Sequence, residues 1–217
     1  MITNKKVKVY ESLRQRIITG ELKPGLPINE ADFARELSVS KTPVREALRQ
    51  LERDGFVENV PGRGSAISNI RPQDIREVLE IREIIEVGAA KRAAWQHGSE
   101  ELQRKLDENR RLLEQEESQE SVHEWGSWED VHLSIVKAVG NQTLVEMYLG
   151  LLDRILRIRS YYGQRFTQRR LHEILGEHTA MLDAIVAGDA ERAEQVVQRH
   201  LRNAGAFLIG LAGPERQ

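Results

Sequence analysis

The sequence predicts a mainly α-helical protein with one small β-hairpin and, after residue 71, an all-helical bundle of about six helices. Apolar residues recur every three or four positions along most of the 217 residues, which is the period of an amphipathic helix. Only the stretch from Phe56 to Ser68 reads as two short extended runs around a Pro-Gly turn, as in a hairpin. Helix breaks are predicted near residues 98–99, 118–121, 140–141, 162–163 and 188–189.

Three short helices are predicted before the hairpin. The first covers residues 7–19, and the second follows Asn29, whose side chain can cap it. Thr42 as N-cap and Pro43 in the first helical position begin the third. Two short helices joined by a tight turn are typical of a helix-turn-helix, and the hairpin that follows would be its wing.

The third helix has two opposite faces. One face is apolar, whereas the other presents a cation every fourth residue: Lys41, Arg45, Arg49 and Arg53. On an isolated helix this ridge would most often be a solvated surface. Its place between a tight turn and a basic, glycine-containing hairpin favours binding to double-stranded DNA instead.

Charge and composition agree with a nucleic-acid-binding module joined to a different kind of domain. Residues 1–71 contain 13 Lys and Arg against 9 Asp and Glu, whereas the remainder contains 19 against 25. The absence of cysteine excludes disulfides and thiolate metal sites. No signal peptide and no apolar run of membrane-spanning length is present, so a cytoplasmic protein without membrane contact is predicted.

The segment from Asn29 to Ser68, centred on Ser40-Lys41-Thr42-Pro43-Val44-Arg45-Glu46-Ala47-Leu48, resembles the GntR family of bacterial regulators. The resemblance implies contacts to base edges or phosphates from Lys41 and Arg45. It also implies phosphate contacts from Ser40 and Thr42, a position of Arg49 near the DNA backbone, and Gly64 at the tip of the wing. Arg63, beside Gly64, could enter a minor groove. Lys41 stands where the family commonly has Arg, so a phosphate contact suits it as well as guanine reading does.

One cation lies within the apolar face of the helix that follows Pro72. Arg82 shares this face with Glu86 and with several Ile, Val and Ala residues. A cation in such a place needs an anionic partner. Two interpretations remain open: an ion pair with Glu86 or another carboxylate, and an anchor for an anionic effector.

The six histidines divide into two groups. His132, His178 and His200 lie on apolar faces of three different predicted helices, whereas His97, His123 and His172 do not. A single inward histidine is usually a core residue, but three in one small domain can converge. Neutral imidazoles are common metal ligands in a protein without cysteine.

The segment from Val78 to Ala94, together with His132, His178 and His200, resembles the FCD effector domain of the FadR subfamily. The resemblance implies a divalent metal, often zinc or nickel, bound by the three histidines and an Asp, with an effector carboxylate completing the shell. The Asp position is Trp128 here. Glu129, three residues before His132, is an alternative fourth ligand, because this spacing places both side chains on one side of a helix.

These observations predict a homodimeric, ligand-responsive transcriptional regulator, with a winged helix-turn-helix at 1–71 and an effector-binding and dimerisation domain at 72–217. A repressor that binds a palindromic operator and is released by a small carboxylate metabolite fits the resemblance. Two alternatives come from other classes. A three-histidine site also suits a metal-dependent enzyme, and the helical domain could serve only to dimerise an architectural DNA-binding protein.

Overall fold

The computed structural model describes residues 2–62, 64–114 and 128–213, with side chains from residue 5 onward and, after the second gap, from residue 131. The chain divides into two compact units. Residues 1–71 and 153–164 form the first, and the remainder forms the second. No helix in the described part of the chain is long and apolar enough to cross a membrane. The predicted fold class, mainly helical with one small sheet, is confirmed.

The first unit begins with three helices, α1 (Ile2–Ile18), α2 (Glu30–Glu36) and α3 (Lys41–Arg53). α3 packs on α1 and α2 through the predicted apolar face, and its buried residues include Val44, Ala47, Leu48 and Leu51. Asn29 caps α2 as predicted, because its side-chain oxygen accepts a hydrogen bond from the Ala31 amide at 2.9 Å.

The predicted start of the third helix is wrong by two residues. Ser40, not Thr42, is the N-cap, so Pro43 occupies the third helical position. Proline is tolerated there because the first backbone amides of a helix have no partner within it. The Ser40 side chain makes no capping hydrogen bond. Its hydroxyl therefore remains exposed at the start of α3.

The hairpin consists of β1 (Val57–Val60) and β2 (Gly64–Ile67), paired antiparallel with Val57 opposite Ile67 and Val60 opposite Gly64. Gly62 and Gly64 have φ values of 74° and 80°, in the left-handed region that glycine adopts without steric cost. Val57 and Ile67 are buried in the core of this unit, whereas Glu58 and Asn59 face outward. The predicted wing is thus anchored at its base and exposed at its tip.

The second unit is helical throughout its described part. Its helices are α4 (Pro72–Trp95), α5 (Glu100–Glu114), α6 (Trp128–Ala138), the part of α7 (Gln142–Gly163) before residue 153, α8 (Gln168–Val186) and α9 (Ala190–Ala212). α4 packs along α9 and against α6 and α8, while α5 packs on α8 and α6. This arrangement brings the inward faces of α6, α8 and α9 together around α4.

The C-terminal half of α7 belongs to the first unit, although the sequence suggested one helical domain over 72–217. Asp153 forms an ion pair with Arg14 of α1, and the Arg157 guanidinium donates a hydrogen bond of 2.9 Å to Ser68 Oγ. Amphipathic spacing identifies a helix but not which core it packs against, so the sequence could not assign residues 153–164. The domain boundary at 71/72 remains a prediction.

Candidate metal centre and DNA-binding surface

His132, His178 and His200 form a buried cluster. They lie on α6, α8 and α9, are between 2% and 5% exposed, and have ring centroids 4.8 to 5.0 Å apart. One ring nitrogen of each lies within 4.8 Å of those of the other two, and the Nε2 atoms of His132 and His178 are 3.1 Å apart. Three imidazoles at this separation can bind one divalent cation.

A buried carboxylate lies behind His132. Glu86 of α4 places Oε2 2.8 Å from His132 Nδ1, while its Oε1 accepts hydrogen bonds from Arg82 Nε at 2.7 Å and from the Tyr148 hydroxyl at 2.6 Å. With Nδ1 facing a carboxylate, His132 directs Nε2 toward the other two histidines. A carboxylate close to the outer ring nitrogen is the arrangement that orients metal-ligating histidines, although the contact at His132 Nδ1 is a charge–dipole contact rather than an aligned hydrogen bond.

His200 has a similar arrangement. Its Nδ1 lies 2.7 Å from Oε2 of Glu177, whose Oε1 receives hydrogen bonds from Asn203 Nδ2 at 2.8 Å and Arg170 Nη1 at 3.2 Å. Burial alone would raise the pKa of Glu177. His200, Asn203 and Arg170 outweigh it and hold this pKa at about 2, so the carboxylate is ionised at neutral pH.

His132 and His200 favour the neutral form that binds metals. Burial lowers the pKa of His132 from 6.5 to about 4, although the Glu86 carboxylate opposes this shift. Burial likewise lowers the pKa of His200 against the influence of Glu177. Neutral imidazoles are ready to coordinate without first losing a proton. The residues present therefore fit a divalent metal.

Acidification should destabilise the metal-free protein in a defined window. Unfolded His132 binds a proton near pH 6.5 but the folded residue only near pH 4, so the unfolded state binds more protons between these values. The free energy of unfolding should fall by about 2–3 kcal/mol from pH 7 to pH 4.5 because of His132 alone. His200, with its pKa also lowered, adds a loss in the same direction.

Urea unfolding of metal-free wild type and His132→Asn at several pH values measures this effect. The variant should show a shallower decline over the same window, and the exposed His172→Asn should decline as wild type does. Parallel pH profiles of wild type and His132→Asn would contradict the assignment.

Glu177→Gln tests the carboxylate behind His200. Glutamine keeps the size of the side chain but removes the charge that orients His200, so zinc affinity should fall about 10- to 100-fold. Competition with a chromophoric chelator measures that affinity. Glu173→Gln is the matched control, since Glu173 lies one turn earlier on α8 and is paired with Arg169 and Arg170. Equal zinc affinities of the two variants would contradict the role of Glu177.

The structure places Arg82 differently from the predicted effector anchor. Its Nε donates to Glu86 Oε1 and its Nη2 lies 3.4 Å from Oε2, and both side chains are buried. The ion pair with Glu86, which the sequence left open as an alternative, is therefore the arrangement observed. The side chains of Trp128 and Glu129 lie outside the described residues, so the fourth-ligand prediction stays a prediction.

Sequence reasoning missed Tyr148 and Glu177 in this site. Tyr148 fits an ordinary apolar helix face, and its hydroxyl gives no periodic signal. Glu177 immediately precedes His178, so in a helix it points about 100° away from that histidine and offers no sign that it reaches α9. The contact between Glu177 and His200 depends on how α8 packs on α9, which the sequence does not specify.

The predicted DNA-contacting residues that the structure describes are exposed. Ser40, Lys41, Thr42, Arg45 and Arg49 are all exposed along α3, and Gly64 is exposed at the wing. Arg63 lies outside the described residues. The five residues at the start of α3 and along it are thus accessible to DNA, and their individual contacts stay predictions.

Glu30 of α2 holds Arg45 in place. The Arg45 guanidinium donates to Glu30 through Nη2 at 2.8 Å and Nε at 3.1 Å, and its side chain is 57% exposed. The hydrogen bond from Arg45 lowers the pKa of Glu30, with smaller effects from Lys41 and Arg49. The pair keeps Arg45 at the protein surface, where a DNA phosphate or base would compete with Glu30 for it.

Comparison with known proteins identifies the family. Residues 5–67 match "Bacterial regulatory proteins, gntR family", and residues 77–203 match the FCD domain. The chain belongs to the GntR family of regulators with an FCD domain. This GntR–FCD protein is a transcriptional regulator with a DNA-binding helix-turn-helix, and its membership of this family excludes the enzyme alternative.

Two curated relatives illustrate the family. A regulator from an unstable DNA locus of Streptomyces ambofaciens is 30% identical over 204 residues, covering 89% of this chain and 80% of the relative. A protein of Paenarthrobacter nicotinovorans named "Probable D-xylose utilization operon transcriptional repressor" is 26% identical, covering 89% and 84%. The match thus covers at least 80% of the length of each of these two relatives.

Two solved structures extend the comparison. A GntR regulator from Rhodococcus shares the fold, with a TM-score of 0.74, 23% identity and coverage of 95% of this chain and 98% of that one. The Zn2+-bound FCD domain of TM0439 has a TM-score of 0.54 and 26% identity, covering 66% of this chain and 96% of that one. The second of these proteins holds zinc in its FCD domain.

Proposed function

We propose that the protein is a repressor whose operator affinity is controlled by a small carboxylate bound at a divalent metal in the histidine cluster. The observation that carries this proposal is the convergence of His132, His178 and His200, with carboxylates at Nδ1 of two of them. The zinc-bound TM0439 domain and the repressor from Paenarthrobacter support the two halves of the proposal.

His132, His178 and His200 would bind the metal. The resemblance to FCD domains implies zinc or nickel, and imidazole nitrogens suit both ions. Three protein ligands leave coordination positions for a carboxylate from the effector, and Glu129 is the proposed fourth protein ligand. The metal supplies a positive charge that attracts an anion. Glu86 and Glu177 would orient His132 and His200, while burial keeps these two imidazoles neutral.

The DNA-binding surface would place α3 in the major groove. Ser40, Lys41 and Thr42 at its start would contact phosphates, where the free backbone amides of a helix N-terminus also favour anions. Arg45 would reach a base edge after leaving Glu30, and Arg49 would contact the backbone. Arg63 and Gly64 would bring the wing to the adjacent minor groove.

A homodimer would bind a palindromic operator, since two-fold symmetry of the protein matches two-fold symmetry of the half-sites. Exposed apolar side chains support this assembly. Ile81 and Ile84 on α4 are 44% and 72% exposed, and Met147 and Leu149 on α7 are 65% and 44% exposed. A contiguous patch formed by such side chains would mark a protein interface.

The effector can change operator affinity only as far as it prefers one arrangement of the dimer over another. A carboxylate that favours the arrangement with poorly spaced recognition helices would release the repressor. By linkage, operator DNA would weaken effector binding by the same factor.

The test uses DNA enriched from a random-sequence library by zinc-loaded protein. Fluorescence anisotropy then measures the dissociation constant of that DNA with zinc alone and with zinc plus acetate, lactate, malonate or citrate. At least one carboxylate should weaken DNA binding about fivefold or more. A DNA affinity that is the same with and without zinc, and with every carboxylate, would favour the architectural alternative, in which the dimer binds DNA without responding to a ligand.

A further inference from the structure

Arg170 near the start of α8 is a buried cation with an incomplete set of partners. Its side chain is 9% exposed, and its Nη1 donates to Glu173 at 3.3 Å and Glu177 at 3.2 Å. The guanidinium carbon lies 5.5 Å from the centre of the Phe207 ring. One nitrogen of the guanidinium therefore makes both of these ion pairs.

The opposite edge of the same guanidinium has no acceptor. Nε and Nη2 of Arg170 are both buried, and neither has a hydrogen-bond partner in the part of the chain that the structure describes. Buried donors of a charged group are costly to leave unpaired, and most such groups in folded proteins find a partner. Together Nε and Nη2 form the edge that receives a carboxylate side-on, through two parallel hydrogen bonds.

Arg82 shows the same edge with its acceptor in place. There Nε and Nη2 both face the Glu86 carboxylate, at 2.7 and 3.4 Å. The arginine that the sequence suggested as an anion anchor is thus already occupied by the protein's own carboxylate. Arg170, which the sequence did not single out, offers an unoccupied edge, whereas the same edge of Arg82 is occupied by Glu86.

The Arg170 guanidinium is linked to the histidine cluster and lies against the Phe207 ring. Glu177 bridges Arg170 and His200, with 3.2 Å to Arg170 Nη1 and 2.7 Å to His200 Nδ1. Phe207 covers the guanidinium and packs edge-on against Phe166, with ring centroids 5.1 Å apart. Both rings are partly exposed, and Phe207 would border an anion bound at the open edge.

We propose that Arg170 is a carboxylate-binding site, in which Nε and Nη2 bind one carboxylate of a small organic acid beside Phe207. The proposal deepens the proposed function and rests on it for the class of ligand, a small carboxylate. It assigns the protein's contact with that carboxylate to Arg170 rather than Arg82. A carboxylate here would share Arg170 with Glu177 and so affect the orientation of His200.

Arg170→Lys distinguishes a role of Arg170 in binding an anion from a role in stabilising the fold. Lysine keeps a positive charge for Glu173 and Glu177, but it lacks the planar fork that binds a carboxylate through two nitrogens. Arg169→Lys is the matched control, because Arg169 is the exposed neighbour and, within the described residues, pairs with Glu173 rather than Glu177. Calorimetric titration of the zinc-loaded 217-residue chain with malonate and, separately, inorganic phosphate gives the affinities.

Malonate affinity should fall about tenfold or more in Arg170→Lys and stay at the wild-type value in Arg169→Lys. Zinc stoichiometry should be unchanged in both. Equal malonate affinity of wild type and Arg170→Lys, no malonate binding to wild type, or tighter binding of phosphate than of malonate would each overturn the proposal.

A second measurement covers the case in which Arg170→Lys fails to fold. In wild-type protein the Arg170 Nε–H resonance, assigned through arginine-selective labelling, should shift and exchange more slowly with water when malonate is added. An unchanged resonance at saturating malonate would overturn the proposal. Failure of the proposed function gives a different result. The affinity for operator DNA would then be unchanged by zinc and by carboxylates, both in wild type and in Arg170→Lys.

Discussion

Arg45→Ala is expected to bind selected operator DNA about ten- to a hundredfold more weakly than wild type. Arg45 is exposed in the middle of the basic face of α3 and offers a bidentate fork suited to guanine. Alanine removes both the base contact and the charge, so specificity as well as affinity should decrease. Anisotropy titrations against the selected sequence and a scrambled sequence measure the two effects separately.

Arg35→Ala is the control for this prediction. Arg35 lies on α2, is 80% exposed and pairs with Asp32 at 3.5 Å, so its loss removes a similar charge away from the recognition helix. Its effect should be small on both DNA sequences. Wild-type operator affinity in Arg45→Ala would refute the assignment of α3 as the recognition helix.

The second large effect is expected at His178. His178→Ala removes one of three nitrogen donors from the cluster, so zinc affinity should fall by more than the roughly 10- to 100-fold typical of a lost outer hydrogen bond. Zinc that binds only the folded state also stabilises it. Added zinc should therefore raise the thermal midpoint of wild type far more than that of the variant.

His172→Ala is the matched control on the same helix. His172 is exposed on α8, whereas His178 is 2% exposed within the cluster. The control should keep wild-type zinc affinity and the full thermal shift. An equal thermal shift in His178→Ala and wild type would show that zinc binds elsewhere.

Much of the DNA-binding module could be predicted from the sequence, because its signals are local. The Asn29 cap, the apolar face of α3 and the glycines of the hairpin act over a few residues each. The start of α3 was misplaced because Thr42-Pro43 is also a favourable N-cap pair. In the structure Ser40 is the N-cap instead. Ser and Thr are both favoured at this position, so side-chain preferences alone do not decide between Ser40 and Thr42.

The histidine cluster was predictable only in part. Apolar spacing places each of His132, His178 and His200 on an inward face, and the structure confirms that these faces converge. The carboxylates that orient them come from other turns and other helices, since Glu86 lies on α4 and Glu177 faces α9. Such contacts depend on interhelical packing, which the helical period leaves open.

The partners of Arg82 and Arg170 were also not predictable from the helical period alone. Arg82 was noticeable because a cation within an apolar face is unusual, yet Glu86 one turn later on the same helix already satisfies it. Arg170 lies among other arginines near the start of α8 and gives no such signal. Only the three-dimensional structure separates its buried open edge from the exposed Arg169.

Metal analysis of the untagged 217-residue chain, purified without chelators and then incubated with zinc and desalted, is the most direct test of the central claim. The three-histidine site predicts about one zinc or nickel ion per chain in wild type and a near-complete loss in His178→Ala. No retained metal in wild type, or equal metal content in the two proteins, would contradict the site.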